Sequence, residues 1–148
     1  MLNKDLMSSK TDDWATPIEF YKNLDKQFHF DLDPCASDEN HKCKKYFTKE
    51  DDGLKKSWRY HRVFMNPPYG REIGKWVAKA YKENLVNNTF IVALLPARTD
   101  TKWFHDWIYK KENTEIIFIK GRLKFNDVKQ SAPFPSMIVI YGRKDIDY

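Results

Sequence analysis

The run Val63-Phe64-Met65-Asn66-Pro67-Pro68-Tyr69 decides how this chain folds. Three apolar residues stop at two prolines, which reads as the end of a strand, because proline donates no ladder hydrogen bond and fixes its own φ. The residue before a proline is also driven to extended backbone. Asn66 is therefore expected in a stiff turn just past a carboxyl strand end, with Tyr69 close behind it. In open α/β sheets that rim is where ligands bind.

The residue types in this turn suit one kind of chemistry. An amide oxygen and a neighbouring main-chain carbonyl can together accept both hydrogens of an exocyclic amine. Doing so draws the nitrogen lone pair out of conjugation and aims it at an electrophile, so placement and electrostatics begin the reaction without an acid or base. Asn66 and the Pro67 carbonyl are the two acceptors, Pro68 completes the stiff turn, and the Tyr69 ring can stack on the flat group carrying the amine. A plain Pro-Pro turn capped by its own Asn accounts for the same four residues and stays open here.

At 148 residues the chain has room for one domain with a real core, expected over residues 13–148 behind a loose tail, 1–12. Apolar content of 41%, with 16% aromatic, excludes a disordered chain. Cys35 and Cys43 form no disulfide framework and fit a reducing cytosol. The spacing of Cys35, His41 and Cys43 matches no standard zinc pattern, so no metal is expected. Met1–Lys10 lack an apolar signal core and no stretch approaches a membrane span, which predicts a soluble intracellular protein. A net charge of +5 is compatible with a polyanionic partner.

Working outward, Thr16-Pro17-Ile18-Glu19 reads as a helix start, with Thr16 as cap and Glu19 closing a capping box. Ile18, Tyr21, Leu24 and Phe28 follow at helical spacing, and Trp14 is placed either to staple the helix or to cover a planar ligand. Phe28–Asp33 alternates as a strand does and breaks at Asp33-Pro34-Cys35-Ala36. Asp33 then either caps its turn or meets a hydroxyl-rich or cationic ligand. A short strand is expected within Cys43–Phe47, a turn at Asp51–Leu54, and a strand over Arg62–Met65. Residues 72–85 form an amphipathic helix and 89–95 a strand buried on both faces. Asp100 is placed to cap a helix burying Trp103, Phe104, Trp107 and Ile108. Strands follow over 115–119 and 137–141, across a long polar loop. This alternation predicts an α/β fold: a mostly parallel sheet with helices on both faces, ending in an antiparallel strand.

With those residues placed, the chain resembles the phage-type DNA N-6-adenine methyltransferases from about Trp14 to Tyr141. The resemblance is carried by Trp14-x-Thr16-Pro17, by Phe30–Ala36, by Asp52-Gly53-Leu54 with Trp58, and by Asn66-Pro67-Pro68-Tyr69-Gly70. Leu94–Thr101 with Trp103-Phe104-His105, and Gly121–Phe125, add to it. The Asn-Pro-Pro-Tyr turn alone is shared by other methyltransferases; the joint order and spacing are far more specific.

That resemblance implies an S-adenosylmethionine-dependent enzyme on the class I, Rossmann-like methyltransferase fold, acting on double-stranded DNA in the cytoplasm of a bacterial host, with a phage or prophage origin. It implies that Trp14, Thr16 and Pro17 hold the methionine end of the cofactor and that Asp33, Pro34, Cys35 and Ala36 form the first cofactor turn. Asp52 would accept the amine of the cofactor's adenine, and Asn66 would border both ligands. Asn66 and Pro67 would grip the target N6 amine while Tyr69 stacks on the flipped base, since N6 cannot meet a methyl donor inside the duplex. The chain departs from the general pattern in having no glycine between Asp33 and Gly53, which leaves Glu39 as a ribose candidate without a strand to place it. There is no room for a separate recognition domain. Arg71, Lys120, Arg122, Lys124 and Lys129 are the candidate DNA contacts, and so short a surface predicts weak sequence selectivity or a homodimer. Two alternatives share these features: methylation of another planar amine, on an RNA base or a protein glutamine, and a catalytically silent DNA-binding protein of the same fold.

Overall fold

The computed structural model describes residues 13–142; the tail expected over 1–12 and the end of the expected domain, 143–148, lie outside the described residues. Among the described residues three α-helices, α1 (Ile18–Phe28), α2 (Ile73–Asn87) and α3 (Lys102–Trp107), are interleaved with six strands. These are β1 (Leu32–Asp33), β2 (Lys45–Tyr46), β3 (Arg62–Met65), β4 (Phe90–Pro96), β5 (Thr114–Phe118) and β6 (Ser136–Tyr141), with short 3₁₀ turns at Gly53–Lys55 and Phe125–Asp127.

The strands form one sheet in the order β2-β1-β3-β4-β6-β5. β2, β1, β3 and β4 are parallel, and β6 runs antiparallel to both β4 and β5. β6 alone is reversed, and it is inserted between its two neighbours, so the last two strands are antiparallel partners as the missing helix between them predicts. β4 is buried along its whole length, as expected of a central strand covered on both sides.

The register shows which helix covers which face. Val63 pairs with Ile91 and Ile91 with Tyr141, while Phe64 pairs with Val92 and Val92 with Ile140. Paired residues share a face and neighbours along a strand alternate, so Phe64 and Tyr141 point to opposite sides. Phe64 packs edge-on against Tyr21 of α1. Tyr141 meets Tyr81 of α2, and its hydroxyl donates to the Trp107 carbonyl of α3. Helix α1 therefore covers one face and α2 with α3 the other.

Several local expectations give way to longer-range contacts. Thr16 does not cap α1: the N-cap is Pro17, without a side-chain bond, and the first helical amide, Ile18, donates to Asp127 Oδ1 from a distant loop at 3.3 Å. Ile18 is 48% exposed and does not join the buried face. The strand expected from Phe28 begins only at Leu32, because α1 runs through Phe28 and ends on a left-handed His29. The Asp25 carboxylate then accepts from the Phe30 amide and closes that end. At α3 the cap is Thr101, which accepts from the Phe104 amide, and not Asp100. Trp103 and Trp107 are half-buried, and Phe104 and Ile108 carry the buried face.

A buried acid ties α2 to the loop before β3. Glu83 accepts from Lys79 at 2.8 Å, from the Trp58 amide at 3.2 Å and from Asn87 at 3.0 Å. Trp58 is fully buried, and its indole N–H donates to the Gly53 carbonyl at 3.0 Å. Burial acts to raise the Glu83 carboxyl, but the bonds from Lys79, Asn87 and the Trp58 amide outweigh it and hold the carboxyl below the ordinary glutamate range. A depressed folded-state value contributes stability above the unfolded value, lost as pH falls through the folded one. Glu83→Gln is expected to cost about 1–3 kcal/mol near neutrality and to flatten the acid limb of stability against pH, measured by denaturant titration at several pH values.

Candidate active site

A cleft of about 670 Å³ opens where the carboxyl ends of β1 and β3 meet the turn after β2. Its position follows from the topology. The chain leaves β1 toward β2 on one side, returns to β3 on the other, and continues outward to β4, so the connections diverge between β1 and β3. Strand order reverses there, and the rim at such a point is open to a ligand. The volume lies in the range of small-molecule sites.

Two turns approach each other across one wall. A Cβ on Gly53 would lie 2.4 Å from the Pro34 carbonyl oxygen and 3.1 Å from the Trp76 ring. Only glycine lets the turn after β1 and the turn after β2 touch, which brings Asp33–Ala36 and Asp52 to one cavity. Asp52 itself is left-handed (φ 56°) and its carboxylate accepts from the Leu54 amide. The Asp33 carboxylate accepts from the Cys35 amide at 3.2 Å and the Lys42 amide at 3.0 Å, so it binds both ends of the loop after β1. Burial pushes this carboxyl above the ordinary aspartate range, and those two amides counter only part of the effect. Burial, with the Asp33 carboxylate beside it, also pushes the Cys35 thiol well above its ordinary value, which keeps it a neutral wall group.

Asn66 follows β3 directly and lines the same cleft. Its Nδ2 donates one hydrogen to the Trp14 carbonyl and one to Thr16 Oγ1, the latter at 2.9 Å. Turning the amide over would set its oxygen against the Trp14 carbonyl oxygen, so these contacts fix its orientation. Its Oδ1 is buried and has no hydrogen-bond partner among the described residues. An unpaired buried acceptor costs about 1–3 kcal/mol, so this oxygen is open to a donor entering the cleft.

Most of the residues expected to bind the cofactor, and two of those expected to act on the substrate, Asn66 and Pro68, fall in one place. Trp14, Thr16, Asp33, Pro34, Cys35, Ala36, Asp52, Asn66 and Pro68 all line the cleft, and so does Glu39; Pro17 and Pro67 do not. Thr16 reaches the site by a route its sequence context did not show, since its hydroxyl serves Asn66 and not the helix end. Tyr69 is beside the cleft and not in its wall. It is 4% exposed, its hydroxyl donates to the Leu94 carbonyl at 2.9 Å, and its ring meets Phe125 and Phe134 edge-on. Burial holds the phenol well above its ordinary value, against the opposing charge of Arg98. Arg71, Lys120, Arg122, Lys124 and Lys129 are exposed and outside the cleft. Trp76 and Asn126 also line it, and sequence reasoning did not single them out for the site. Among the described residues no group of His, Cys, Asp or Glu is arranged to hold a metal, and no helix is long and apolar enough to cross a membrane.

The scaffold is an α/β fold with a ligand cleft at its switch point and a fixed amide whose oxygen is an unanswered acceptor beside that cleft, the arrangement of a small-ligand site. The family described as DNA N-6-adenine-methyltransferase (Dam) matches residues 3–144, and the chain belongs to it. It is similar to the DNA N-6-adenine-methyltransferase of Haemophilus phage HP1 (strain HP1c1), 30% identical over 152 residues that cover 97% of this chain and 86% of the relative. It is also similar to the DNA N-6-adenine-methyltransferase of Escherichia phage T1, 38% identical over 112 residues, 74% of this chain and 45% of the relative.

Gly53→Ala tests the close approach that builds the cleft. It is expected to cost about 1–3 kcal/mol of stability, as overpacking does, and to weaken small-ligand binding at the cleft. Denaturant unfolding and calorimetry of the same preparation check both effects.

Proposed function

We propose that this DNA adenine-N6 methyltransferase takes its methyl group from S-adenosylmethionine held in the cleft between β1 and β3, on a class I methyltransferase fold. The fold reading is supported by the five strands that run one way, the single reversed strand inserted near the edge, and the cleft at the switch point. The residues present suit the cofactor. The wall mixes an aromatic ring, Trp14, with the Asp33–Ala36 turn and the Asp52 carboxylate, and the cavity is large enough for a nucleoside with an amino-acid tail. Trp14 and Thr16 would hold the methionine end, and Asp52 the adenine amine, while Pro17 starts α1 outside the cleft.

The observation that carries the reading is the unpaired Oδ1 of Asn66. When bound, S-adenosylmethionine supplies an electron-poor methyl carbon on a sulfonium. Asn66 does the complementary work on the substrate. Both hydrogens of its Nδ2 are committed to the strap formed by Trp14 and Thr16, so the carbonyl stays aimed at an incoming donor. Oδ1 would accept one hydrogen of adenine N6, and the Pro67 carbonyl, whose residue is outside the cleft wall here, would accept the other once the base is seated, turning the lone pair away from the ring. The N6 lone pair would take the methyl carbon as that carbon's bond to sulfur breaks and a neutral thioether departs; the two carbonyl dipoles would offset the positive charge on N6, and its surplus proton would pass to solvent. The target base has to be outside the duplex for this contact. Tyr69 offers its ring to the flipped base once the Phe125 and Phe134 contacts part. Exposed Arg71, Lys120, Arg122, Lys124 and Lys129 take the phosphates of double-stranded DNA.

Methylation of unmodified plasmid with labelled S-adenosylmethionine, followed by digestion to nucleosides, tests the reaction. Label is expected in N6-methyl-2′-deoxyadenosine; label confined to RNA or protein would move the substrate. Asn66→Ala is expected to lower turnover by about 100-fold or more while cofactor affinity changes little, and turnover at the unsubstituted rate would contradict the role given to its amide.

A further inference from the structure

The orientation of Asn66 depends on a strap that something else must hold still. Residue Ala15 lies between the two acceptors, the Trp14 carbonyl and the Thr16 hydroxyl. It is paired twice with one residue 111 positions away: its amide donates to Asn126 Oδ1 at 2.9 Å, and its carbonyl accepts from the Asn126 amide at 2.8 Å. The next residue, Asp127, accepts from the Ile18 amide. Asn126 and Asp127 are both left-handed, with φ 58° and 51°, a conformation that a side chain disfavours and that Asn and Asp tolerate best. Phe125 beside them packs edge-on against Trp14 at 5.7 Å between ring centroids. A strained turn is thus seated against the segment that orients the amide, with Asn126 bonding the residue in the middle of it.

We propose that Asn126 is a positioning residue for methyl transfer: through Ala15 it holds the Trp14 carbonyl and the Thr16 hydroxyl where they lock the Asn66 amide with its oxygen toward the substrate. This rests on the reading of Asn66 as the acceptor of the N6 amine. The side-chain bond is the informative part, because the backbone pairing alone leaves Ala15 free to rock about one contact, and small displacements of a catalytic dipole are costly in rate.

Two substitutions separate the roles of this residue. Asn126→Gly accepts the left-handed backbone without strain and deletes Oδ1; Asn126→Asp keeps an acceptor for the Ala15 amide. With the full chain, plasmid DNA and saturating S-adenosylmethionine, Asn126→Gly is expected to lower kcat by about 2–10-fold, the range one neutral hydrogen bond covers. KM for DNA and Tm should change little, and Asn126→Asp should recover most of the lost kcat. Thr16→Val combined with Asn126→Gly should lose less than the product of the single effects, since both act on one amide. Wild-type kcat in Asn126→Gly overturns the proposal, whether or not the variant melts early. So does a loss that Asn126→Asp fails to recover. Asn66→Ala is run alongside: if it turns over normally, the reading of Asn66 has failed; if it is inactive while Asn126→Gly is fully active, only the positioning role has.

Discussion

The contact between the side-chain amide of Asn66 and the strap ahead of α1 is the constraint on which the site depends. A primary amide has two donors and one acceptor group, and here both donors are committed to Trp14 and Thr16. The acceptor is left buried and unanswered at the rim of the sheet. Satisfying the donors from within the protein while leaving the acceptor open gives the amide one direction and one use. The prolines that follow stiffen the turn from the other side by fixing its backbone.

The sheet supplies the place. Strand order reverses between β1 and β3, and the carboxyl ends of those strands deliver Asp33 and Asn66 to the same opening. The absence of a side chain at Gly53 lets a second turn press against Pro34 and close one wall. Behind that wall, Trp58 and the buried Glu83 carboxylate, paired with Lys79, tie the Gly53 turn to α2. The bond to Lys79 and the buried amide partners give Glu83 enough hydrogen bonds to stay charged there.

The parts of this arrangement legible in the sequence are those set by short-range patterning. The apolar runs of β3, β4 and β6 and the helical spacing of α2 reflect burial that repeats every second residue or along one helix face, and the prolines at 67, 68 and 96 mark strand ends chemically. The fold class follows from their alternation. The gathering of Asp33–Ala36, Asp52 and Asn66 at one rim was implied by the family resemblance; from the residues alone only Asn66 was placed at a strand end, and Asp33 could equally have capped its turn. What stayed hidden depends on partners distant in sequence. Thr16-Pro17-Ile18-Glu19 satisfies the local pattern of a capping box, yet its hydroxyl is taken by an amide 50 residues away. The alternation of 28–33 is strand-like, but Phe28 is claimed by the helix before it. Asp100 and Thr101 both suit a cap, and only the backbone geometry, extended at Thr101, selects between them. Asn126 had the faintest signal of all, an Asn-Asp pair in a polar loop, a composition that tolerates left-handed backbone without announcing it.

The most direct test is a structure of the protein with duplex DNA and a non-reactive analogue of S-adenosylmethionine. An adenine outside the duplex is expected, its N6 about 2.7–3.2 Å from Asn66 Oδ1, with Nδ2 still on Trp14 and Thr16. An adenine bound with N6 away from Oδ1, or an Asn66 amide turned over to use Nδ2 as its contact, would contradict it.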